Sequence, residues 1–230
     1  MKNLAIIPAR SGSKGLKDKN ILDLNGHPLM YYSIKAALDS GCFDTVMVST
    51  DSKKYAKLAG ECGAEVPFLR SEELSSDTSG SWDMVREVLK KYKHIGQEFD
   101  YVTLLQPTSP LRDSEDIKNA YGMLSKANVT NVVSVTEVDH PVQWCFELPE
   151  DASMEEIAQS PYSTMRRQDL TPYYRENGAI YIVDAKKIMN ASYILYADNC
   201  YAYIMTREKS VDIDTKIDYI VAETMMAQRI

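Results

Sequence analysis

Two short stretches at opposite ends of the 230-residue chain carry side chains of the types and spacing that chemistry uses. The first is Ile7-Pro8-Ala9-Arg10-Ser11-Gly12-Ser13-Lys14-Gly15-Leu16-Lys17-Asp18-Lys19-Asn20. Its small residues let an anion approach backbone N–H groups closely, and Arg10, Lys14 and Lys19 place cations around the same loop. A triphosphate needs that combination of donors and positive charge. The pattern is neither a Walker A nor a GxGxxG sequence, which argues against the folds built on those motifs. A solvated basic loop at a strand end has the same composition, so context must decide.

The second stretch is Ser210-Val211-Asp212-Ile213-Asp214-Thr215. With Val211 and Ile213 facing inward on an extended chain, Asp212 and Asp214 share the other face, about 7 Å apart. Mg²⁺ takes one or two protein carboxylates and completes its shell with water and substrate phosphates, so the pair fits that ion. The competing reading makes Asp214 a cap on the final helix, beside Thr215. Asp218, one helical turn beyond, is a weaker candidate ligand.

The elements that must hold these stretches alternate between strand and helix patterns. Leu4–Ile7, Val46–Thr50, Tyr101–Leu105, Val132–Thr136 and Gly178–Val183 are apolar runs of buried-strand length. Helical spacing covers 28–38, stopped by Gly41, then a stretch after the capping pair Asp51-Ser52, then 82–92, 114–126 and 215–228. Ala64–Leu69 reads as a short edge strand, because Pro67 would break a central one. Repeated βα units predict an α/β domain with a mainly parallel sheet. The rhythm breaks over 139–175, which has no long periodic stretch and is the candidate appendage of a single domain over 1–230.

Composition sets outer limits. Hydrophobic residues make up 44% and charged residues 26%, an ordinary globular composition that argues against disorder. A net charge of −7 speaks against non-specific binding to nucleic acid or to an anionic membrane. It leaves an anionic ligand open, since Lys2, Arg10, Lys14, Lys17 and Lys19 face Asp18 alone in the first nineteen residues. No apolar run approaches the roughly 20 residues of a membrane helix. Cys42, Cys62, Cys145 and Cys200 form no CxxC pair, so the expectation is free thiols, no structural zinc and a reducing, cytoplasmic setting.

Taken in order, Ala-Arg-x-x-Ser-Lys-Gly at 9–15, Leu-Gln-Pro-Thr-Ser-Pro-Leu-Arg at 105–112, Asn-Gly-Ala-Ile-Tyr at 177–181 and Asp-Ile-Asp-Thr at 212–215 make a specific signature. Over nearly its whole length the chain resembles the CMP-sugar synthetases, the acylneuraminate cytidylyltransferase family. The resemblance implies a Rossmann-like nucleotidyltransferase domain that joins CTP to a nine-carbon 2-keto sugar acid with Mg²⁺, releasing pyrophosphate. Carried over by position, Arg10 and Lys19 contact the CTP phosphates, wrapped by the backbone of Ser11, Gly12, Ser13, Lys14 and Gly15. Asn20 and the 77–81 segment, with Ser79 and Ser81, border the cytosine and ribose, although for either serine taken singly helix capping is the stronger reading. Gln106 faces ribose or sugar, Tyr181 lies on the sugar side, Asp212 and Asp214 hold the metal, and Arg112 has a structural reading. In the family the appendage forms a homodimer contact and reaches the partner's site, which gives Arg167, or its neighbour Arg166, and Arg175 to the sugar carboxylate.

Two positions depart from the family's pattern. Gln143 stands where a lysine is expected in sialic-acid-using bacterial relatives, and Glu176 where proline is common. Both bear on the sugar pocket, so legionaminate, pseudaminate or Kdo stand as alternatives to N-acetylneuraminate. A glycosyltransferase using Asp212-Ile213-Asp214 as its DxD site is a more distant reading, and a nucleotide-sensing module a third. No residue of the sequence stands out as the general base.

Overall fold

The computed structural model describes residues 1–12, 15–75, 80–126, 128–190, 195–196 and 199–228. In chain order the elements are β1 (Asn3–Pro8), β2 (Asp23–Leu24), β3 (His27–Pro28), α1 (Leu29–Ser40), β4 (Thr45–Ser49), α2 (Lys53–Glu61) and α3 (Ser81–His94). They continue with β5 (Tyr101–Leu104), α4 (Ser114–Gly122), β6 (Asn131–Glu137), α5 (Glu155–Ala158), β7 (Tyr174–Asp184), α6 (Ala185–Ile188), β8 (Cys200–Ile204) and α7 (Lys216–Ala227). The alternation within β1 decides the layering: Ala5 and Ile7 enter one apolar cluster, Leu4 and Ile6 another, and all four are fully buried. A strand apolar on both faces needs cover on both sides. Met30, Ile34, Tyr55, Ala59, Ile117 and Ala120 of α1, α2 and α4 pack with the first face. Met84, Val85, Val88 and Tyr92 of α3, with Ile188 of α6, pack with the second.

Among the described residues the main sheet has the order β4-β1-β5-β7-β6-β8. β1 pairs in parallel with β4 and β5, and β6 in parallel with β8. β7 alone runs antiparallel to both its neighbours. The chain therefore leaves β1 toward β4 on one side while β5 lies on the other, and the loops after β1 and β5 open a crevice at the strands' carboxyl ends. Both phosphate-type and Gln106 motifs occupy those loops.

Local chemistry explains most boundaries. Gly41, at φ 62°, closes α1 in the left-handed region that glycine tolerates. Ser52 caps α2 by accepting from the Tyr55 N–H. Asp113 with Asp116, and Thr215 with Asp218, form capping boxes at α4 and α7. Thr215, not Asp214, is thus the cap of the last helix, which removes the capping reading of Asp214. Other expectations shift as well. Ala64–Leu69 contributes one bridge, Met47 to Glu65, because Pro67 ends the pairing. The Val211–Ile213 segment pairs with no strand, although Ile213 is fully buried as the alternation required. The helix expected over 114–126 tightens into a 3₁₀ turn after Gly122. β8 is absent from the expected strands: its residues are all apolar, yet Tyr201 and Ile204 are exposed, so no alternation of apolar and polar side chains announces it.

The strand pair β6–β7 contains the fold's main irregularity. Glu176 lies opposite Val135 but Tyr181 lies opposite Val133, so β7 advances five residues while β6 advances two. The slack is taken up at Asn177 and Gly178, the latter at φ 74°. Asn177 is buried (1% exposed) and its side chain uses the space. Its Oδ1 accepts from Ser134 Oγ (2.6 Å) and the Ala179 N–H (3.2 Å), and its Nδ2 donates to Ser210 Oγ (2.9 Å). Its carbonyl accepts from Ser109 Oγ (3.4 Å). One residue thereby ties the β5 loop, β6 and the approach to Asp212 together. Asn177→Ala should lower stability by about 2–4 kcal/mol, since it strands several buried groups at once. Urea denaturation checks this; a loss below about 1 kcal/mol would contradict the hub reading.

Candidate nucleotide and metal site

The loop after β1 is held open by its own hydrogen bonds. Asp51, just past the end of β4, accepts from Ser11 N (2.8 Å) and Ser11 Oγ (2.7 Å). Burial pushes the Asp51 carboxyl up, but the two Ser11 bonds and the Arg70 charge outweigh it and hold the group below its ordinary value. Asn20 is buried and donates from Nδ2 to the Arg10 carbonyl (3.1 Å), closing the loop across its base. The amide donor of Asn20 is thus engaged within the loop. Gly12 takes φ 78° with open space around it. Arg10 donates to the Ser75 carbonyl (3.4 Å), which turns its guanidinium toward the segment leading to α3. Burial lowers Arg70 to about 10, and Arg10 adds to that push against Asp51 and Glu87.

Lys19 joins this loop to the other end of the chain. Asp18, at φ 54°, starts the turn and accepts from Tyr55 OH (2.8 Å). Lys19 Nζ then donates to the Ile213 carbonyl and to Asp214 Oδ1, both at 2.8 Å. Gly15 sits against the same segment: a Cβ there would lie 2.8 Å from the Asp214 carbonyl oxygen. Glycine is required at 15 by close approach, not by φ.

The β5 loop supports the acidic segment from the other side. Ser33 Oγ donates to the Gln106 carbonyl (3.1 Å), and the Ile213 N–H donates to the Thr108 carbonyl (2.8 Å). The Gln106 side chain lies 3.6 Å from where a Cβ on Gly178 would stand, so the bulge makes room for it. Arg112 is 2% exposed and donates to the Ala179 carbonyl (3.3 Å), which bears out its structural reading.

Asp212 is the electrostatic centre. Its Oδ1 is buried and has no hydrogen-bond partner. Burial pushes its carboxyl above the ordinary value and the Asp214 charge adds to this, against the opposing pull of Thr108, Lys19 and Arg175. An orphaned carboxylate oxygen is an acceptor available to a cation. Among the described residues no three His, Cys, Asp or Glu side chains cluster as ligands, so a cation here would take the rest of its shell from water or a bound anion. Magnesium coordinates in that way. Asp214 is mostly exposed and shares its charge with Lys19. Asp218 Oδ2 accepts from Thr215 N (2.7 Å), Thr215 Oγ1 (2.8 Å) and Asp214 N (3.1 Å), so that oxygen is engaged at the helix start, and the residue lines the same cavity as Asp212.

Asp212 and Arg175 line one cavity of about 460 Å³ with Thr136, Arg207, Ser210 and Val221. Arg167 lies elsewhere, on a 400 Å³ cavity formed with Pro141 and Tyr173 of the 138–173 excursion. Tyr181 is buried beneath the edge of Trp82, with ring centres 6.0 Å apart. Ser81 opens α3 as its first residue, with Gly80 at the cap position. Ser13, Lys14, Asp77, Thr78 and Ser79 lie outside the described residues. The sequence reading missed Asp51 and Thr108 as loop anchors; Asp51's place at the carboxyl end of the strand beside β1 was the available signal.

A raised Asp212 pKa has a definite linkage. The folded state holds this proton more tightly than the unfolded chain, so the ionised carboxylate destabilises the fold above its folded pKa. The penalty disappears as pH falls toward the unfolded value of 3.8. Asp212→Asn should therefore unfold at a higher temperature than the parent at pH 7, with the gap narrowing in acid. A variant less stable than the parent at pH 7 contradicts the assignment.

Comparisons with known proteins bear on the family and the fold. The family described as cytidylyltransferase matches residues 4–225. The chain is 43% identical over 224 residues to an N-acylneuraminate cytidylyltransferase of Streptococcus agalactiae serotype V, covering 96% of this chain and 52% of that protein. It therefore spans about half the length of that relative. It is 40% identical over 234 residues to a CMP-N,N'-diacetyllegionaminic acid synthase of Legionella pneumophila, covering 98% and 97%. The solved structure of CMP:2-keto-3-deoxy-manno-octonic acid synthetase complexed with CTP superposes with a TM-score of 0.73 over the full length of both chains, at 19% identity, a likeness of fold. Among the described residues no helix is long and apolar enough to cross a membrane. With an α/β sheet whose switch point carries both motif loops and a family match over almost its whole length, the chain belongs to the cytidylyltransferases.

Proposed function

We propose that this protein transfers CMP from CTP to the anomeric hydroxyl of a nine-carbon 2-keto sugar acid of the N-acylneuraminate and legionaminate type, releasing pyrophosphate. The observation that carries the reading is the bridge from Lys19 to Ile213 and Asp214, which joins the cationic loop to the acidic segment. The named relatives support the chemistry and the acid class. In the reaction the sugar oxygen forms a bond to the α-phosphorus, the bond from that phosphorus to the β-bridging oxygen breaks, and the hydroxyl proton passes to water. Phosphoryl chemistry of this kind is lowered mainly by positioning and by neutralising charge.

Each residue's part follows from its place. Arg10 and the loop N–H groups bind the β- and γ-phosphates as they become the leaving group. Lys14 and Ser13 belong to the same loop by sequence. Lys19 holds the loop against Asp214 and leaves a cation beside the phosphates. Asp212 and, secondarily, Asp214 hold Mg²⁺, which when bound offsets charge on the α-phosphate. Gln106, positioned by Ser33 and Gly178, orients ribose or sugar, and Arg175 faces the sugar carboxylate with its planar fork.

The excursion between β6 and β7 exposes Trp144, Phe146, Leu148, Met154 and Met165, apolar side chains of the kind that interfaces cover. We assign it to a homodimer contact, with Arg167 offered to the partner's sugar site. A cytoplasmic setting suits the reaction and the four free thiols.

Incubation with CTP, Mg²⁺ and a panel of 2-keto sugar acids should release pyrophosphate with at least one acid, and no release with any acid sinks the reading. Asp212→Asn should cut Mg²⁺-dependent turnover by about a hundredfold or more, and near-parental kcat would remove Asp212 from the metal site. Gly15→Ala should raise the KM for CTP by roughly tenfold, since the new methyl group forces the loop away from Asp214. An unchanged KM in that variant means the close approach has no part in binding.

A further inference from the structure

Two ties fasten the loop after β1 to the same short stretch of chain. Near the loop's start, Asp51 accepts from Ser11 N and Ser11 Oγ. Near its end, Tyr55 OH donates to Asp18 Oδ1 at 2.8 Å. Asp51 stands just before the Ser52 cap that starts α2, and Tyr55 lies in the first turn after it. The cap is itself braced, since Ser52 N donates to Oγ1 of the buried Thr50 (3.2 Å) and Tyr55 N to Ser52 Oγ (3.4 Å). The start of α2 is thus a fixed edge against which both ends of the loop are set.

Tyr55 is 2% exposed and belongs to the apolar cluster that α1 and α2 share with β1. A phenylalanine would fill that space as well, so packing explains the ring and leaves the hydroxyl unexplained. A hydroxyl on a buried ring costs free energy unless it finds a partner. Its partner here carries a cost of its own. Asp18 is the only acid among the first nineteen residues, and a carboxylate beside a cationic loop works against an anionic ligand. Its backbone is also uncommon: φ 54° and ψ 32° lie in the left-handed region, which Asp tolerates better than most residues do. That conformation turns the chain so that Lys19, the next residue, opens a 3₁₀ turn and sends Nζ to the Ile213 carbonyl and Asp214. The Asp18 carboxylate does not cap this turn and is given to Tyr55 instead. Burial pushes the Tyr55 hydroxyl above its ordinary value and the Asp18 bond adds to this, so the phenol keeps its proton and stays the donor.

We propose that Tyr55 and Asp18 are positioning residues for Lys19. Their hydrogen bond fixes the left-handed turn at 18, and with it the direction from which the Lys19 ammonium meets the bound phosphates. The assignment rests on the reaction proposed above, with Lys19 beside the phosphates of CTP. Neither residue contributes a contact to the nucleotide; both act through Lys19. The leverage comes from distance, because a preorganised charge loses its effect on a phosphate when it is displaced by even an ångström or so.

The test measures the Kd for CTP with Mg²⁺ by calorimetry, and the KM for the sugar acid that supports turnover. The proteins compared are the parent, Tyr55→Phe, Asp18→Ala, Asp18→Asn, Lys19→Met and the double variant Lys19→Met/Tyr55→Phe. Tyr55→Phe and Asp18→Ala should each weaken CTP binding about five- to tenfold, while the KM for the acid stays within about twofold. Asp18→Asn keeps an acceptor for Tyr55 and tolerates the left-handed backbone, so it should recover most of what Asp18→Ala loses. With Lys19→Met already present, Tyr55→Phe should change the Kd by less than about twofold, because the group through which it acts is gone. Three results overturn the assignment and leave the transfer reaction standing: a parental Kd for Tyr55→Phe, an Asn variant as weak as the Ala variant, or an undiminished effect of Tyr55→Phe without Lys19. A parent protein that releases pyrophosphate with no acid overturns the reaction itself and the assignment with it.

Discussion

The contact on which the rest of the site depends is the reach of Lys19 across 195 residues of sequence to Asp214. Taken as an exposed ion pair it would contribute little to stability. Its geometry is less ordinary, because the same ammonium also holds the Ile213 carbonyl and stands over a segment that pairs with no strand. Three further constraints close on that segment from other directions: Gly15 beneath the Asp214 carbonyl, Thr108 on the Ile213 N–H, and Thr215 with Asp218 at the start of α7. An irregular strip is thus fixed at nearly every residue without belonging to a sheet. Asp212, in its middle, keeps one oxygen free of hydrogen bonds. A rigid backbone with an unsatisfied acceptor is the kind of position at which the proposed Mg²⁺ would find one protein ligand and take the others from water and phosphate.

A second layer of constraint passes through Asn177. Polar groups in a low-dielectric interior are costly unless paired, so a buried amide with every arm engaged fixes the relative places of whatever it touches. Here those are the β5 loop through Ser109, β6 through Ser134 and the acidic segment through Ser210. A neighbouring cluster extends the grip: Lys209 pairs with Asp113 (2.6 Å) and Asp116 (3.0 Å) at the start of α4. The amide-centred network lies in the core and the lysine pair at its rim, and together they hold the peptide that carries Asp212.

Much of this was legible in the sequence, for identifiable reasons. Strands such as Leu4–Ile7 and Tyr101–Leu105 are apolar on both faces, and a doubly covered sheet is the physical outcome of that pattern. The order of the motifs marks the loop after β1, the Gln106 turn and the carboxylate pair as one signature in the sequence itself. What the residues alone did not disclose was direction and pairing. Nothing in Gly178–Val183 marks β7 as the reversed strand, since antiparallel and parallel partners bury the same side chains. β8 was invisible because its outward residues are apolar and its pattern does not alternate cleanly. The tie between Ser11 and Asp51 joins residues whose types read just as well as a loop serine and a helix cap. Glu176 stood out as a departure from pattern, but its two tyrosine partners, Tyr181 and Tyr196, come from β7 and from beyond α6 and could be joined only in three dimensions.

The bulged pair β6–β7 also governs how this protein can change. The excursion leaves at Glu137 and returns at Tyr174, and those two residues are paired with each other across the ladder, with Val138 N–H bonded to the Tyr173 carbonyl (3.0 Å) just outside. Whatever lies between is suspended from a closed clasp, so lengthening or rewriting it alters loop-closure entropy only slowly. The clasp stands a few residues from Arg175 and Glu176, at the border of the site. The outer segment can therefore be lengthened or rewritten while the sheet and the loop after β1 stay untouched, and sequence diversity can accumulate at one insertion point with little effect on folding.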